Sequence, residues 1–212
     1  MTLFNRQRKG TMFIFSGPSG CGKSSIIKRI LAEVDNINLS VSVTTRAMRE
    51  GEKEGVDYYF VDEAKFKELV KNEALYEYVD SDFGPKYGTP KGAVNQWLDE
   101  GKDVILDVDY PGVLQLKASA DDKIKTISIL PPSLKILRER LISRQTDSME
   151  TIEKRMSMAE KRIKESCFYD YIVVNDDLDA AVNEVKSIVL AARAETKNLC
   201  CWDEFVQEIV EN

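Results

Sequence analysis

Ten residues, Ser16-Gly17-Pro18-Ser19-Gly20-Cys21-Gly22-Lys23-Ser24-Ser25, have the types and spacing of a phosphate-binding loop. From Gly17 to Ser24 they fit Gly-x-x-x-x-Gly-Lys-Ser, the P-loop pattern. Glycines let successive backbone N–H groups turn inward around a phosphate, and a helix N-terminus behind the loop adds partial positive charge. Lys23 reaches the terminal phosphates in this pattern, and the Ser24 hydroxyl is placed to ligate a divalent cation. The chemistry implied is the binding of a nucleoside triphosphate through the stretch Gly17–Ser25. The alternative, an ordinary glycine-rich turn, is disfavoured by the flanks. An apolar run, Met12-Phe13-Ile14-Phe15, precedes the loop, and Ser25-Ile26-Ile27-Lys28-Arg29-Ile30-Leu31 reads as a helix opening behind it.

Three further groups carry charge where phosphates would need it. Arg46 and Arg49 lie three apart after a second apolar run, and their forked donors suit a phosphate as well as a solvated ion pair. Asp107 and Asp109 are two apart at the end of Val104-Ile105-Leu106. On a strand they share a face, so both carboxylates point into the crevice beyond the sheet unless one caps a helix. Arg138, Arg140 and Arg144, with Arg155 and Arg162 further on, either pair with neighbouring glutamates or close over a triphosphate. Tyr58, Tyr76, Tyr78 and Tyr87 cluster beside Glu77 in a segment of its own character, where tyrosine more often serves packing than recognition.

The elements that position these groups alternate. Strand-like runs at Met12–Phe15, Leu39–Val43, Val104–Val108, Ile124–Leu130 and Tyr171–Val174 are separated by helical segments at Lys23–Val34, Gly112–Ala118, Ser133–Ser143, Met149–Ser166 and Leu178–Ala194. This rhythm predicts an α/β fold, a parallel sheet flanked by helices. Residues 45–100 break it with short extended pieces around Tyr58–Val61 and Ala74–Val79 and a helix at Glu63–Lys71, which reads as a small α+β insertion. The basic, weakly amphipathic stretch 143–164 reads as a helical lid. The core is then residues 1–44, 101–142 and 165–195. In the extension 196–212, Leu199, Trp202, Phe205, Val206 and Ile209 have helical spacing. That helix is expected to pack on its own domain or to fray, with a subunit contact in a homo-oligomer as the alternative.

Composition bounds the rest. The chain has 212 residues, 43% hydrophobic and 31% charged, as in a soluble globular domain. A net charge of −6 argues against nucleic acid as a partner. No run reaches the roughly 18 apolar residues of a membrane span, and no signal core precedes the first strand, so a cytoplasmic location is expected. Cys21, Cys167, Cys200 and Cys201 lack paired spacing and are expected to be reduced thiols. With no histidine in the chain, Ser-His, Cys-His and His-metal mechanisms are excluded. Phosphoryl transfer survives, because it rests on positioning and charge neutralisation.

The motifs in order resemble the guanylate kinase family from about Met12 to Ala194. They are Gly17-Pro18-Ser19-Gly20-Cys21-Gly22-Lys23-Ser24, then Ser42-Val43-Thr44-Thr45-Arg46-Ala47-Met48-Arg49, then Gly55-Val56-Asp57-Tyr58-Tyr59-Phe60-Val61. Glu77, Tyr87-Gly88-Thr89, Ile105-Leu106-Asp107-Val108-Asp109 and Val174-Asn175-Asp176-Asp177-Leu178 follow. The resemblance implies Mg²⁺-dependent transfer of the ATP γ-phosphoryl group to GMP. It implies that 45–100 binds GMP, with Arg46, Arg49, Tyr58 and Tyr87 on the phosphate and Ser42, Glu77 and Thr89 on the guanine edge. Lys23 and Ser24 would serve ATP and Mg²⁺, and Arg140, Arg144 and Arg155 would gather the triphosphate. Asn175 falls at the adenine, Asp107 near the metal and Asp109 near GMP. The departures are Val43 in place of a common hydroxyl residue, Met48 in place of a common proline, and a slightly long loop at Asp82-Phe83-Gly84-Pro85-Lys86. Two other readings remain: a P-loop kinase with another acceptor, and a non-catalytic guanylate-kinase-like interaction module.

Overall fold

A computed structural model of the chain describes residues 8–80, 84–119, 121, 123–144, 147–200 and 202–211. Its centre is a strand that is apolar on both sides. In β1 (Met12–Ser16) every residue is buried. Phe13 and Phe15 face one layer, packed with Ile26, Ile30, Val182 and Val185. Met12 and Ile14 face the other, packed with Val94, Leu98, Val113 and Leu116. A near-continuous apolar strand of this kind requires helices on both faces. They are α1 (Lys23–Glu33) and α7 (Leu178–Arg193) on the first face, and α3 (Lys91–Asp99) and α4 (Tyr110–Ala118) on the second.

The large sheet also contains β2 (Ile37–Leu39), β7 (Asp103–Asp107), β8 (Ile124–Leu130) and β9 (Tyr171–Val174), in the order β2-β7-β1-β8-β9. All its pairings are parallel. The chain leaves β1 toward one edge and later returns to its other side, so the crevice beyond the end of β1 is a topological switch point, where open α/β sheets bind ligands. The register sets Phe15 beside Asp107, so the P-loop and Asp107 emerge together. The expected parallel α/β architecture is therefore the observed one.

A second, mixed sheet has the order β4-β3-β6-β5, from β3 (Val43–Thr44), β4 (Tyr59–Phe60), β5 (Leu75–Val79) and β6 (Tyr87–Pro90). The helix α2 (Glu63–Lys71) buries Phe66 against Val43 and Leu75 beneath it. The run Leu39–Val43, expected as one strand, is divided: Leu39 ends β2 in the large sheet and Val43 begins β3 in the small one. Ser40 N still donates to Ile105 O, whereas Ser42 O accepts from Tyr59 N, so the transfer between sheets happens within two residues. The helix α3, not anticipated from sequence, packs Val94 and Leu98 into the core of the large sheet. The helices α5 (Leu134–Ser143) and α6 (Met149–Lys164) form a satellite core of Leu137, Leu141, Ile152 and Ala159. Ser133 and Ser148 cap them by accepting from Ile136 N and Thr151 N.

The P-loop backbone is shaped by left-handed residues. Gly20 and Gly22 have φ of 94° and 92°. A Cβ at Gly22 would lie 2.1 Å from Asn175 Nδ2. That amide is buried and donates to Cys21 O at 2.8 Å, so the residue after β9 pins the loop from the side.

At the opposite end of the sheet, Asp103 is wholly buried. It accepts from Arg8 at 2.6 and 3.0 Å, from Arg193 Nε at 2.6 Å and from Thr11 N at 2.8 Å. Beyond α7, Asn198 O accepts from Lys9 N, and Asn198 Nδ2 donates to Ala192 O. The start of the extension thus packs on its own domain. It continues as α8 (Trp202–Glu211), on which Trp202, Ile209 and Val210 are exposed. Cys21, Cys167 and Cys200 are free thiols, and Cys201 lies outside the described residues, as do Asp82 and Phe83.

Two outcomes follow for stability. Asp103→Ala strands two largely but not fully buried guanidinium groups and should cost about 3–5 kcal/mol, read from the urea midpoint. Gly22→Ala puts a side chain in a left-handed position against Asn175 and should cost about 1–3 kcal/mol by the same measurement.

Candidate active site

The C-terminal ends of β1 and β7 and the N-terminus of α1 enclose a cleft with a volume of about 610 Å³. The loop from Gly17 to Ser25 lines one wall. The facing wall carries Ser42, Tyr58, Glu77 and Tyr87 from the small sheet and its approaches, and Asp107, Asp109 and Arg144 complete it. Groups separated by more than a hundred residues in the chain thus share one space. Val79, Pro85 and Val108 line it too, and nothing in their types marked them in the sequence.

On the loop side, Lys23 forms an ion pair with Asp107. Burial works against the ammonium charge, but the adjacent carboxylate outweighs it and holds Lys23 above the usual lysine value. Lys23 is therefore cationic at any working pH. Cys21, 1% exposed, is pushed up by burial and is a poor nucleophile. Asp109 occupies the N-cap position of α4, yet its side chain makes no capping bond. The capping alternative for this residue is not realised.

On the facing side, Glu77 is 5% exposed. Its Oε1 accepts from Thr89 Oγ1 at 2.7 Å. Burial raises its pKa, the Thr89 bond opposes that rise, and the charge of Asp109 adds to it. A buried carboxylate with one fixed donor and remaining acceptor capacity suits a ligand that brings N–H groups.

Arg46 does not itself line the cleft. It lies behind Tyr58, its guanidinium 5.3 Å from the ring centroid, and is gripped by Glu52 at 2.7 and 3.0 Å. That bidentate pair, chiefly, holds Arg46 above the ordinary arginine value. Tyr58 in turn meets Tyr87 edge-on at 5.9 Å. Arg49 is exposed, and its backbone N–H donates to the same Glu52 carboxylate at 2.8 Å. Glu52 thus organises both arginines. Sequence reasoning missed it, because pairing across a loop leaves no periodic signal.

Of the other arginines, Arg140 donates to Asn175 O at 3.0 Å. Both residues, with Arg144, line a smaller cleft of about 300 Å³ behind the P-loop, beside Asp176 and Leu178. Arg144 borders both spaces. Arg155 lines neither. It bridges Ser19 Oγ at 2.8 Å and Asp147 at 3.0 Å, tying α6 to the P-loop. Arg138 pairs with Glu153, and Arg162 pairs with Glu165 while stacking on Tyr110.

For a divalent cation, Ser24 and Asp107 both border the main cleft and an adjoining groove. No cluster of three or more His, Cys, Asp or Glu side chains with metal-ligand geometry occurs among the described residues. A hydroxyl and one carboxylate fit a cation that takes its remaining oxygens from phosphate and water, as Mg²⁺ does. No described helix is long and apolar enough to cross a membrane.

The chain as a whole is similar to known proteins. The family model described as guanylate kinase matches residues 9–192. A guanylate kinase of Zymomonas mobilis is 46% identical over 194 residues, covering 92% of this chain and 89% of that protein. One of Syntrophomonas wolfei is 43% identical over 192 residues, covering 91% and 97%. The crystal structure of guanylate kinase from Anaplasma phagocytophilum matches with a TM-score of 0.79 at 30% identity, covering 98% of each chain. With the P-loop, the buried glutamate and the paired aspartates converging on one cleft, and with these matches along nearly its whole length, the chain belongs to the guanylate kinase family.

Proposed function

We propose that this protein transfers the γ-phosphoryl group of ATP to GMP, giving ADP and GDP. The observation that carries the acceptor is Glu77. A carboxylate in a nearly closed site accepts from guanine N1–H and N2–H₂, which adenine lacks. The wrong base leaves a buried acceptor unpaired, and sites of that kind discriminate by orders of magnitude. Ser42 and Thr89 complete the base edge. Thr89 keeps its hydrogen on Glu77 Oε1 and so fixes the carboxylate before the base arrives.

The acceptor phosphate is assigned to Tyr58, Tyr87, Arg46 and Arg49. Glu52 holds the Arg46 fork with two parallel bonds, the geometry a phosphate also uses. Substrate therefore meets an arginine already positioned, and the ion pair adjusts as the phosphate docks. Asp109 stands on the GMP side of the cleft.

The donor is assigned to the P-loop. Backbone N–H groups from Gly17 to Ser25 and the α1 N-terminus receive the phosphates, with the Lys23 ammonium at their end. Asp107 and Ser24 are the residues that would hold Mg²⁺, which supplies charge neutralisation at the β- and γ-phosphates. Arg140, Arg144 and Arg155 surround the triphosphate as the lid at 143–164 shuts. Asn175 adjoins the adenine through its backbone and the small cleft, since its amide is committed to Cys21 O. A GMP phosphate oxygen attacks the γ-phosphorus in line. The bond from γ-phosphorus to the β,γ-bridging oxygen breaks, and ADP leaves with that electron pair. The nucleophile is already anionic, so no protein base is required. Closure of the 45–100 insertion and of the lid keeps water from competing. The reaction belongs in the cytoplasm, with ATP and GMP as partners.

ADP release from Mg-ATP should be stimulated by GMP and not by AMP, CMP or UMP. Stimulation by another acceptor alone, or by none, contradicts the reading. The pH profile has a definite sign. Glu77 must be ionised to accept, and its pKa is raised, so KM for GMP should climb as pH falls through a value above the ordinary glutamate range. Glu77→Gln should remove that dependence while raising KM about 100-fold.

A further inference from the structure

Two residues of α4, Gly112 and Gln115, bound Glu77 and the residue beside it, and neither belongs to the assigned nucleotide contacts. A Cβ at Gly112 would lie 2.5 Å from Glu77 Oε2, 3.0 Å from its Cδ and 3.2 Å from its Cγ. One helix turn on, Gln115 donates from Nε2 to Tyr78 O at 2.7 Å and accepts from Tyr78 N at 3.1 Å. Both residues are three apart and share a face of the helix. Asp109, immediately before that helix, adds its negative charge to the environment of Glu77.

We propose that Gly112 and Gln115 are specificity-determining positioning residues, which seat the Glu77 carboxylate at the depth where it reads the acceptor base. Gly112 lies in the first turn of a helix at an ordinary helical φ, where alanine is the better helix former. Conformation therefore gives no reason for glycine here. The reason is room: the helix backbone forms the back wall of the Glu77 site, and any side chain at 112 would drive the carboxylate toward the cleft. Thr89 holds one carboxylate oxygen from the small sheet, and the bare backbone at Gly112 bounds the other. Gln115 keeps the two walls in register. It satisfies both backbone groups of the residue next to Glu77, so β5 cannot slide along α4 without breaking two hydrogen bonds. The discriminating group is thereby set by an element of the large-sheet core, although its own strand belongs to the small sheet.

This inference rests on the proposed GMP kinase activity, and the test separates the two. Steady-state kinetics with GMP and AMP are measured for the wild type, Gly112→Ala, Glu77→Ala and the double variant. The wild type alone tests the activity. Gly112→Ala should raise KM for GMP at least about tenfold and narrow the GMP-over-AMP preference, leaving KM for ATP unchanged. In the Glu77→Ala background the same change should cost nothing, because the group it displaces is gone. Wild-type behaviour of Gly112→Ala, or a loss that adds in full to that of Glu77→Ala, overturns the assignment while leaving the activity intact. If Gly112→Ala does not fold, Gln115→Ala runs the same cycle. A severalfold rise in KM for GMP that vanishes without Glu77 supports the proposal, and an additive or absent effect rejects it.

Discussion

The central constraint is the parallel pairing of β1 with β7. It places the last residues of both strands side by side at the switch point, so the loop after one and the carboxylate ending the other must meet. The Lys23–Asp107 ion pair is the result. A lysine in a P-loop without a partner would lose charge to burial. With Asp107 beside it, the ammonium stays protonated and fixed, and on the proposed reading it exchanges part of that interaction for a phosphate. The left-handed glycines and the Asn175 amide serve the same end, holding backbone donors in a curve that ordinary residues would not adopt.

The second half of the cleft is built on the opposite principle. Where the P-loop gathers positive potential, the small sheet buries a negative group. Glu77 is 5% exposed, held by Thr89 and close to the charge of Asp109, and burial chiefly raises its pKa. On the proposed reading that cost is recovered only by a base offering two N–H groups, so selectivity and discomfort have one origin. Arg46 behaves in the opposite way: the paired Glu52 carboxylate stabilises its charge and holds the partly buried guanidinium against Tyr58.

How much of this was readable in the sequence depended on distance along the chain. The P-loop was legible because its chemistry lies in eight consecutive residues with flanks that name their own structure. The strands β1, β7 and β8 were legible from apolar runs long enough to exclude other readings. The division of Leu39–Val43 was not, since an apolar run says nothing about which sheet each half joins. The helix α3 was hidden by Gly92 and Asn95 in a window of nine residues, and its buried face, Val94 and Leu98, shows only against the large sheet. Glu77, Asp107 and Asp109 could be named from motif order. The contacts that hold the site together could not: the Asn175 amide on Cys21, Glu52 on Arg46, Asp147 on Arg155 and Gly112 under Glu77 leave no local signature.

On the proposed reading the cleft holds two separable sites, a donor half fixed by Lys23 and an acceptor half fixed by Glu77. Calorimetric titration of ATP and of GMP, each alone, into the wild type, Lys23→Met and Glu77→Ala tests that division most directly. Lys23→Met should lose ATP and keep GMP, and Glu77→Ala should lose GMP and keep ATP. GMP binding unchanged in Glu77→Ala, or abolished in Lys23→Met, would contradict it.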